Sequence, residues 1–138
     1  MSRDDQAGAI AAAQFFLSDL YRYTVSAQDP GPWNTVSLDR CKFCASVRDA
    51  VATEVANGRV TYPGPITVLK TRVASASPLA YEIDFDVSQG ADVTWSTSGT
   101  VVKTQPPRTM TIAYMAVWRP EGWRIWGVDT LSVDGTPK

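Results

Sequence analysis

A change of hydrophobic period near Gly58 constrains this chain more than any other feature of its sequence. Before Gly58, apolar residues recur at spacings of three and four, which is typical of helices that bury one stripe. After Gly58, β-branched and aromatic segments alternate with Gly, Pro and Ser, which favours strands. Helices followed by strands predict an α+β domain in which a strongly curved antiparallel sheet closes over N-terminal helices packed on one face.

The first half predicts two long helices and a short helical turn between them. The first long helix covers residues 4–28 and ends at Asp29-Pro-Gly-Pro32, because proline disrupts helical geometry at and before its own position. The helical turn covers residues 33–38. Asp39 is the predicted N-cap of the second long helix, which ends at Asn57-Gly58. The predicted buried stripe of this helix is Cys44, Val47, Val51 and Val55.

The second half predicts six strands, and Pro120-Glu-Gly122 joins the last two as a hairpin. Residues 89–98, followed by Gly99, form the least regular stretch and are predicted to be a protruding loop that carries Trp95. The predicted strands are residues 59–62, 66–74, 79–88, 100–103, 109–119 and 123–132.

Composition indicates one domain and excludes several classes of function. The 138 residues, 44% of them apolar, suit one domain over residues 1–138, with residues 1–3 and 134–138 expected to be flexible. Thirteen basic and 14 acidic residues are interspersed, so no nucleic-acid partner is expected. The chain has no histidine, which removes the commonest general base and metal ligand, and neither a metal nor a cofactor is expected.

The pair Cys41-Lys-Phe-Cys44 admits several interpretations. Residues three apart at a helix start lie close enough for a disulfide, and such a bond persists in an oxidising compartment. A redox-active pair also lies at a helix N-terminus, but it normally follows a strand. A zinc site would need two further ligands, and a reduced pair of small core residues is the remaining alternative.

Three segments together resemble a known family. These are Phe16-Leu-Ser-Asp-Leu-Tyr-Arg-Tyr23, residues 33–38 and the cysteine pair, and they are similar to a family of uncharacterised actinobacterial lipoproteins. The resemblance implies a nuclear transport factor 2-like cone, the fold of ketosteroid isomerase, in an extracytoplasmic domain at the cell surface. It also implies a lipid anchor that this sequence does not contain, as the only membrane attachment. It brings no established active site.

Several polar residues are candidates for the pocket of such a cone. Residues 79–88 alternate so that Glu82, Asp84 and Asp86 face away from the apolar side, which predicts that these carboxylates point to solvent. Asp129 lies in phase with apolar residues of its strand, where burial would raise the pKa of its carboxyl group. The complete set of candidate pocket residues is Asp19, Tyr21, Tyr81, Tyr114 and Asp129.

The strand at residues 109–119 carries large apolar side chains on both faces, so both faces are expected to be covered. Helices cover one face, and either a second copy of the chain or the predicted loop at residues 89–98 covers the other. The candidate interface residues for a homodimer are Met110, Ile112, Trp118, Trp126 and Val128.

Three functions are compatible with these features. The first is a non-catalytic exported domain that binds a small apolar ligand or an envelope protein. Two or more carboxylates in the pocket, or a well-formed polar catalytic constellation there, would overturn it. The second is a cone-fold isomerase or dehydratase that uses Asp19 or Asp129 as base with a tyrosine donor. The third is a structural dimerisation module, which would have a filled cone.

Overall fold

The computed structural model describes residues 4–131, which form one α+β arrangement of helices followed by strands. The helices are α1 (Gln6–Phe15), α2 (Tyr21–Ala27), α3 (Gly31–Val36) and α4 (Lys42–Ala56), and a π-helical segment (Phe16–Leu20) joins α1 to α2. The strands are β1 (Arg59–Tyr62), β2 (Ile66–Ser77), β3 (Ala80–Gln89), β4 (Asp92–Ser96), β5 (Val101–Gln105), β6 (Arg108–Arg119) and β7 (Gly122–Leu131). No helix in this part of the chain is long and apolar enough to cross a membrane. The termini expected to be flexible, residues 1–3 and 134–138, lie outside the described residues.

The first predicted helix is present, with a π-helical segment in its middle. Asp5 caps its start by accepting a hydrogen bond from the Gly8 backbone N–H at 2.9 Å. It ends where Gln28 adopts a left-handed conformation, one residue before the Asp29-Pro30 stop. The wider π turn inserts into the helical repeat without breaking the buried stripe, which is continued by Phe16, Leu17 and Leu20.

The start and the buried stripe of α4 differ from the prediction. The N-cap is Cys41 and not Asp39, because the chain is still in a turn at Asp39 and becomes helical only after the first cysteine. The prediction for Val55 is also wrong, since this side chain is 56% exposed near the helix end. Cys44, Val47 and Val51 are buried as predicted.

The strands form two antiparallel sheets. The larger sheet has the order β2-β3-β6-β7, and the smaller has the order β1-β4-β5. α1 packs against β3, β6 and β7, while α4 packs against β7 and β1, so the helices cover the concave side of both sheets. The core is continuous between α1, α4 and the inner face of the larger sheet, where Ile83, Phe85 and Ile125 are completely buried.

The predicted loop at residues 89–98 is wrong, because half of it, Asp92–Ser96, is strand β4 and Gln89 is the last residue of β3. β4 pairs with β1 through Arg59↔Ser96 to Tyr62↔Val93, and with β5 on its other side. Its pairing with β1 spans more than 30 residues of sequence, a non-local contact that no local pattern reveals. β5 also continues two residues past its predicted end at Lys103.

The outer face of the larger sheet carries the carboxylates of β3, as the alternation predicted. Asp86 accepts hydrogen bonds from both terminal nitrogens of Arg72, at 2.7 and 2.9 Å, and one from Thr111 at 2.8 Å. These hydrogen bonds lower the pKa of Asp86 to about 2, with the larger effect from Arg72 and the smaller from Thr111. Burial, followed by a hydrogen bond with Asp84, raises the pKa of Glu82. These carboxylates are therefore half-buried members of a charged surface and are not freely solvated.

Candidate functional site

Two adjoining chambers lie between the helices and the concave sheet. The larger, here called the polar chamber, has a volume of about 460 Å³ and lies between α4 and the smaller sheet. The smaller, here called the apolar chamber, has a volume of about 240 Å³ and lies under the larger sheet. Tyr21, Phe43 and Gln105 line both chambers. The combined space is in the size range of small-molecule sites.

The polar chamber has a polar floor because the smaller sheet turns its polar side inward. On β1 and β4 the inward residues are Thr61 and Thr94, whose hydroxyls are 2.7 Å apart. The Thr61 hydroxyl also donates to Oε2 of Glu54 on α4 at 2.6 Å, which joins the helix to the sheet. The charged residues that line this chamber are Glu54, Arg59, Asp92 and Lys103.

The apolar chamber is lined by five hydrophobic residues and six residues that carry a polar group, two of them tyrosines. Its apolar lining is Leu17, Phe43, Ile66, Met110 and Ile112. Its polar lining is Tyr21, Gln89, Gln105, Arg108, Tyr114 and Thr130. Polar groups set among hydrophobic walls are the usual composition of a pocket that orients an amphipathic ligand.

Asp92 and Arg108 form an ion pair at the boundary of the two chambers. Oδ2 of Asp92 lies 3.1 Å from Nη2 of Arg108. Oδ1 of the same carboxylate accepts hydrogen bonds from the Gly64 backbone N–H at 2.8 Å and from Nε2 of Gln89 at 3.0 Å. Three donors therefore bond to this carboxylate and fix its position.

The other terminal nitrogen of Arg108, Nη1, has a different environment. It is buried and makes no hydrogen bond to any of residues 4–131. A buried N–H without an acceptor costs about 1–3 kcal/mol, more when charged, so an acceptor placed there is favoured. The ion pair with Asp92 thus leaves the guanidinium only partly satisfied.

The two tyrosines of the apolar chamber are weak acids in this environment. Burial, followed by the charge of Asp92, raises the pKa of Tyr21, which Arg108 partly offsets. Burial raises the pKa of Tyr114, and the neighbouring Tyr21 raises it further. Both hydroxyls therefore stay protonated at neutral pH and are suited to hydrogen bonding rather than to proton abstraction.

The disulfide predicted for Cys41 and Cys44 is present, with a Cα–Cα distance of 5.2 Å. Both cysteines are buried, at 1% and 0% exposure, which leaves no approach for the thiolate attack that redox exchange requires. The bridge closes the turn that carries Phe43, and Phe43 packs on Tyr21 and Trp33 with ring centroids 6.4 and 6.3 Å apart. The disulfide therefore braces the wall between the two chambers.

The candidate pocket residues separate into two groups. Tyr21 and Tyr114 line the apolar chamber. Asp19 and Asp129 are exposed, and each borders a different shallow surface depression. A register shift between Ile125 and Gly127 reverses the parity of β7, so Asp129 is exposed opposite Ala113 and the burial expected for it is wrong. Tyr81 lines neither chamber and packs edge-on against Trp123, with centroids 5.9 Å apart.

Two carboxylates, Glu54 and Asp92, do line the polar chamber. This contradicts the expectation of fewer than two acids in the pocket of a binding domain. Both are engaged, however: Glu54 accepts from Thr61, and Asp92 accepts from three donors. Among the described residues, no three Asp, Glu, Cys or His side chains are placed to hold a metal ion.

Most of the candidate interface residues lie on the inner face of the sheet, which packs against the helices and cannot contact a second copy of the chain. Met110, Ile112 and Val128 are buried on the inner face, because they share the parity of Tyr114 in the pairing of β6 with its neighbours. Trp118 packs against Trp123 with centroids 5.3 Å apart. Trp126 is half-buried beneath Arg40, whose guanidinium carbon lies 4.4 Å from the ring centroid. A homodimer through the outer face stays a prediction.

The sequence pattern did not single out three residues of the site, Arg108, Asp92 and Gln89. The alternation along the strands does mark two of them. Arg108 is in phase with Met110 and Ile112 on β6, and Gln89 is in phase with Val87 on β3. A charged or amide side chain that continues a buried parity at a strand end marks the rim of a cavity. Asp92 gave no such signal, because β4 was predicted to be loop.

Comparison with solved structures shows the fold. The intermembrane space region of chloroplast protein ARC6 aligns with a TM-score of 0.65 and 17% identity over 90% of this chain and 96% of that chain. Aln2 from a Streptomyces species aligns with a TM-score of 0.58 and 10% identity over 94% and 93%. An uncharacterised protein with a cystatin-like fold from Caulobacter vibrioides aligns with a TM-score of 0.53 and 12% identity over 93% and 92%.

The chain is an α+β cone of the nuclear transport factor 2-like, cystatin-like type. No protein-family model and no curated protein matches it. At these identities the structural likenesses establish the fold alone, so the function has to be argued from the cavity.

Proposed function

We propose that this domain is a non-catalytic binding domain that takes up a small molecule in the cone. The observation that carries the proposal is the pair of adjoining chambers, which differ in that four charged residues line the polar chamber and one lines the apolar chamber. A dimerisation module of this fold would fill the cone with side chains. The open space supports ligand binding over a purely structural role.

The hydrogen bonding of Asp92 supports a non-catalytic function. A general base needs a free lone pair that faces the substrate and a pKa close to the working pH. Both oxygens of Asp92 already accept hydrogen bonds from protein donors, two at Oδ1 and one at Oδ2. The exposed positions of Asp19 and Asp129 remove the two bases on which the isomerase alternative depended.

We further propose that the domain works outside the cytoplasm, as the extracytoplasmic part of an actinobacterial lipoprotein. The buried disulfide supports this, because such bonds persist where the environment is oxidising. One structural neighbour is likewise described as an intermembrane space region. Alkylation tests the proposal when native cells are quenched with acid and the protein is then unfolded, because both cysteines are buried in the folded domain. The pair should still resist labelling, whereas labelled thiols would contradict the proposal.

Dye binding tests the cavity directly. The neutral apolar dye N-phenyl-1-naphthylamine should bind saturably with increased fluorescence. Ile66→Trp places an indole in the apolar chamber and should abolish the signal. Thr67→Trp is the matched control, since the next residue of β2 is exposed on the opposite face and should leave binding unchanged. Absence of saturable binding to the folded wild-type domain would refute the proposed function.

A further inference from the structure

We propose that the ligand of the cone is a small amphipathic monocarboxylate, with its carboxylate at Arg108 and its apolar body in the apolar chamber. This inference rests on the proposed function and specifies its ligand class. It is drawn from the juxtaposition of an incompletely bonded arginine with a hydrophobic cavity.

Arg108 is suited to a second anionic partner. A guanidinium presents a planar fork of donors that matches a carboxylate, and only its Nη2 side is occupied, by Asp92. A ligand carboxylate would give Nη1 the acceptor that it lacks. Because Nη1 is shielded, a boundary side chain must move to admit the ligand. Gln105 lines both chambers and is exposed, so it is placed to do so.

The charge of the lining favours a monoanion. The two chambers are lined by the basic residues Arg59, Lys103 and Arg108 and by the acidic residues Glu54 and Asp92. The lining therefore carries one more positive than negative charge, which a single carboxylate neutralises. A dianionic phosphate ester would leave an excess negative charge beside Asp92, where like charges repel.

The apolar chamber sets the size of the hydrophobic body. Its volume of about 240 Å³ equals that of about eight water molecules at about 30 Å³ each. Chains of similar heavy-atom count fit this space. Leu17, Ile66 and Met110 supply the surface that such a chain would cover. Octanoate is therefore a suitable probe, with 1-octanol as its uncharged counterpart.

Competition against the bound dye measures the preference for a carboxylate. Octanoate should displace the dye at about ten- to a hundredfold lower concentration than 1-octanol, the range expected for a hydrogen bond to a charged group. Arg108→Gln should remove this preference while dye and octanol binding persist. Arg119→Gln, an exposed arginine at the other end of β6, should retain it.

Replacing Arg108 alone also removes the ion-pair partner of Asp92, so a second variant separates these two effects. In the double variant Arg108→Gln, Asp92→Asn both charges are absent, and the preference should again be lost. Equal affinities of octanoate and octanol for the wild type would overturn the ligand class and leave the cavity function standing. A preference that survives in the folded double variant would overturn the role of Arg108. Failure of the dye itself to bind would instead refute the proposed function.

Discussion

Replacing both cysteines with alanine tests how the disulfide supports the cone. Cys41 and Cys44 close a four-residue loop at the start of α4, and that loop carries Phe43 into the wall of both chambers. The double variant Cys41→Ala, Cys44→Ala removes the covalent restraint without placing a hydroxyl in the core. It should lower both the stability of the domain and its affinity for the dye.

The expected loss of stability has two parts. Closing a loop of four residues restrains the unfolded chain by about 2 kcal/mol on the chain-entropy estimate. Each sulfur lost from a buried site removes packing comparable to a methylene, or about 0.8 kcal/mol. The free energy of unfolding should therefore fall by about 3–4 kcal/mol, a large share of the roughly 5–15 kcal/mol typical of a domain.

Urea denaturation separates the two parts. Wild-type protein that is unfolded, reduced and refolded in reductant should lose only about 2 kcal/mol of its free energy of unfolding, because the sulfur atoms remain. Lys42→Ala, an exposed change within the same loop, should stay within about 0.5 kcal/mol of the wild type. If neither reduction nor the double variant changes stability, the bridge does not restrain the chain and the reasoning is wrong.

Three further predictions concern charges and backbone packing. In the folded domain the pKa of Asp86 is lowered to about 2 from its ordinary value of 3.8. The Asp86 carboxylate therefore stabilises the fold above pH 3.8, and this stabilisation is lost as the pH falls towards 2. Screening at this one-third-exposed site reduces that contribution to about 1 kcal/mol, and Asp86→Asn should flatten the pH dependence of urea unfolding by this amount. Gly64→Ala should destabilise the domain by more than about 3 kcal/mol in thermal melts, because its Cβ would overlap the facing backbone, whereas Gly31→Ala meets only a flexible side chain. Asp19→Asn and Asp129→Asn should leave dye affinity unchanged in titrations, and a large loss in either would restore the acid as a pocket residue.

Sequence periodicity was sufficient for the fold class and for most elements. The alternation of β3 placed Ile83, Phe85 and Val87 in the core and its carboxylates outside, as the structure shows. It succeeded because a strand with one buried face has a strict period of two. β6 misled the same reasoning, because Met115 and Val117 put apolar side chains on the outer parity as well. The interface residues were therefore chosen from the face that packs on the helices.

The smaller sheet was harder to predict for a physical reason. Its inward residues, Thr61 and Thr94, are polar, and Trp95 on the outward side is 37% exposed. A sheet with a polar interior face inverts the rule that identifies a core, so its strand β4 looked like a loop. The inversion exists because this face borders the polar chamber and not the core. The rule that apolar residues mark the inward face of a strand therefore fails for the strands that line the polar chamber.

The polar groups at the boundary of the two chambers indicate why side chains do not fill the cone. A half-buried ion pair such as Asp92–Arg108 adds little stability over apolar side chains of similar volume, and the unsatisfied Nη1 atom adds a cost. Apolar residues in place of Gln89 and Arg108, which continue Val87 and Met110 towards the strand ends, would have closed the cone at lower cost. A domain that needed only a stable core or a dimer scaffold has no use for that arrangement. A domain that must recognise a charged group at the end of an apolar cavity requires it, and this favours binding over a purely structural role.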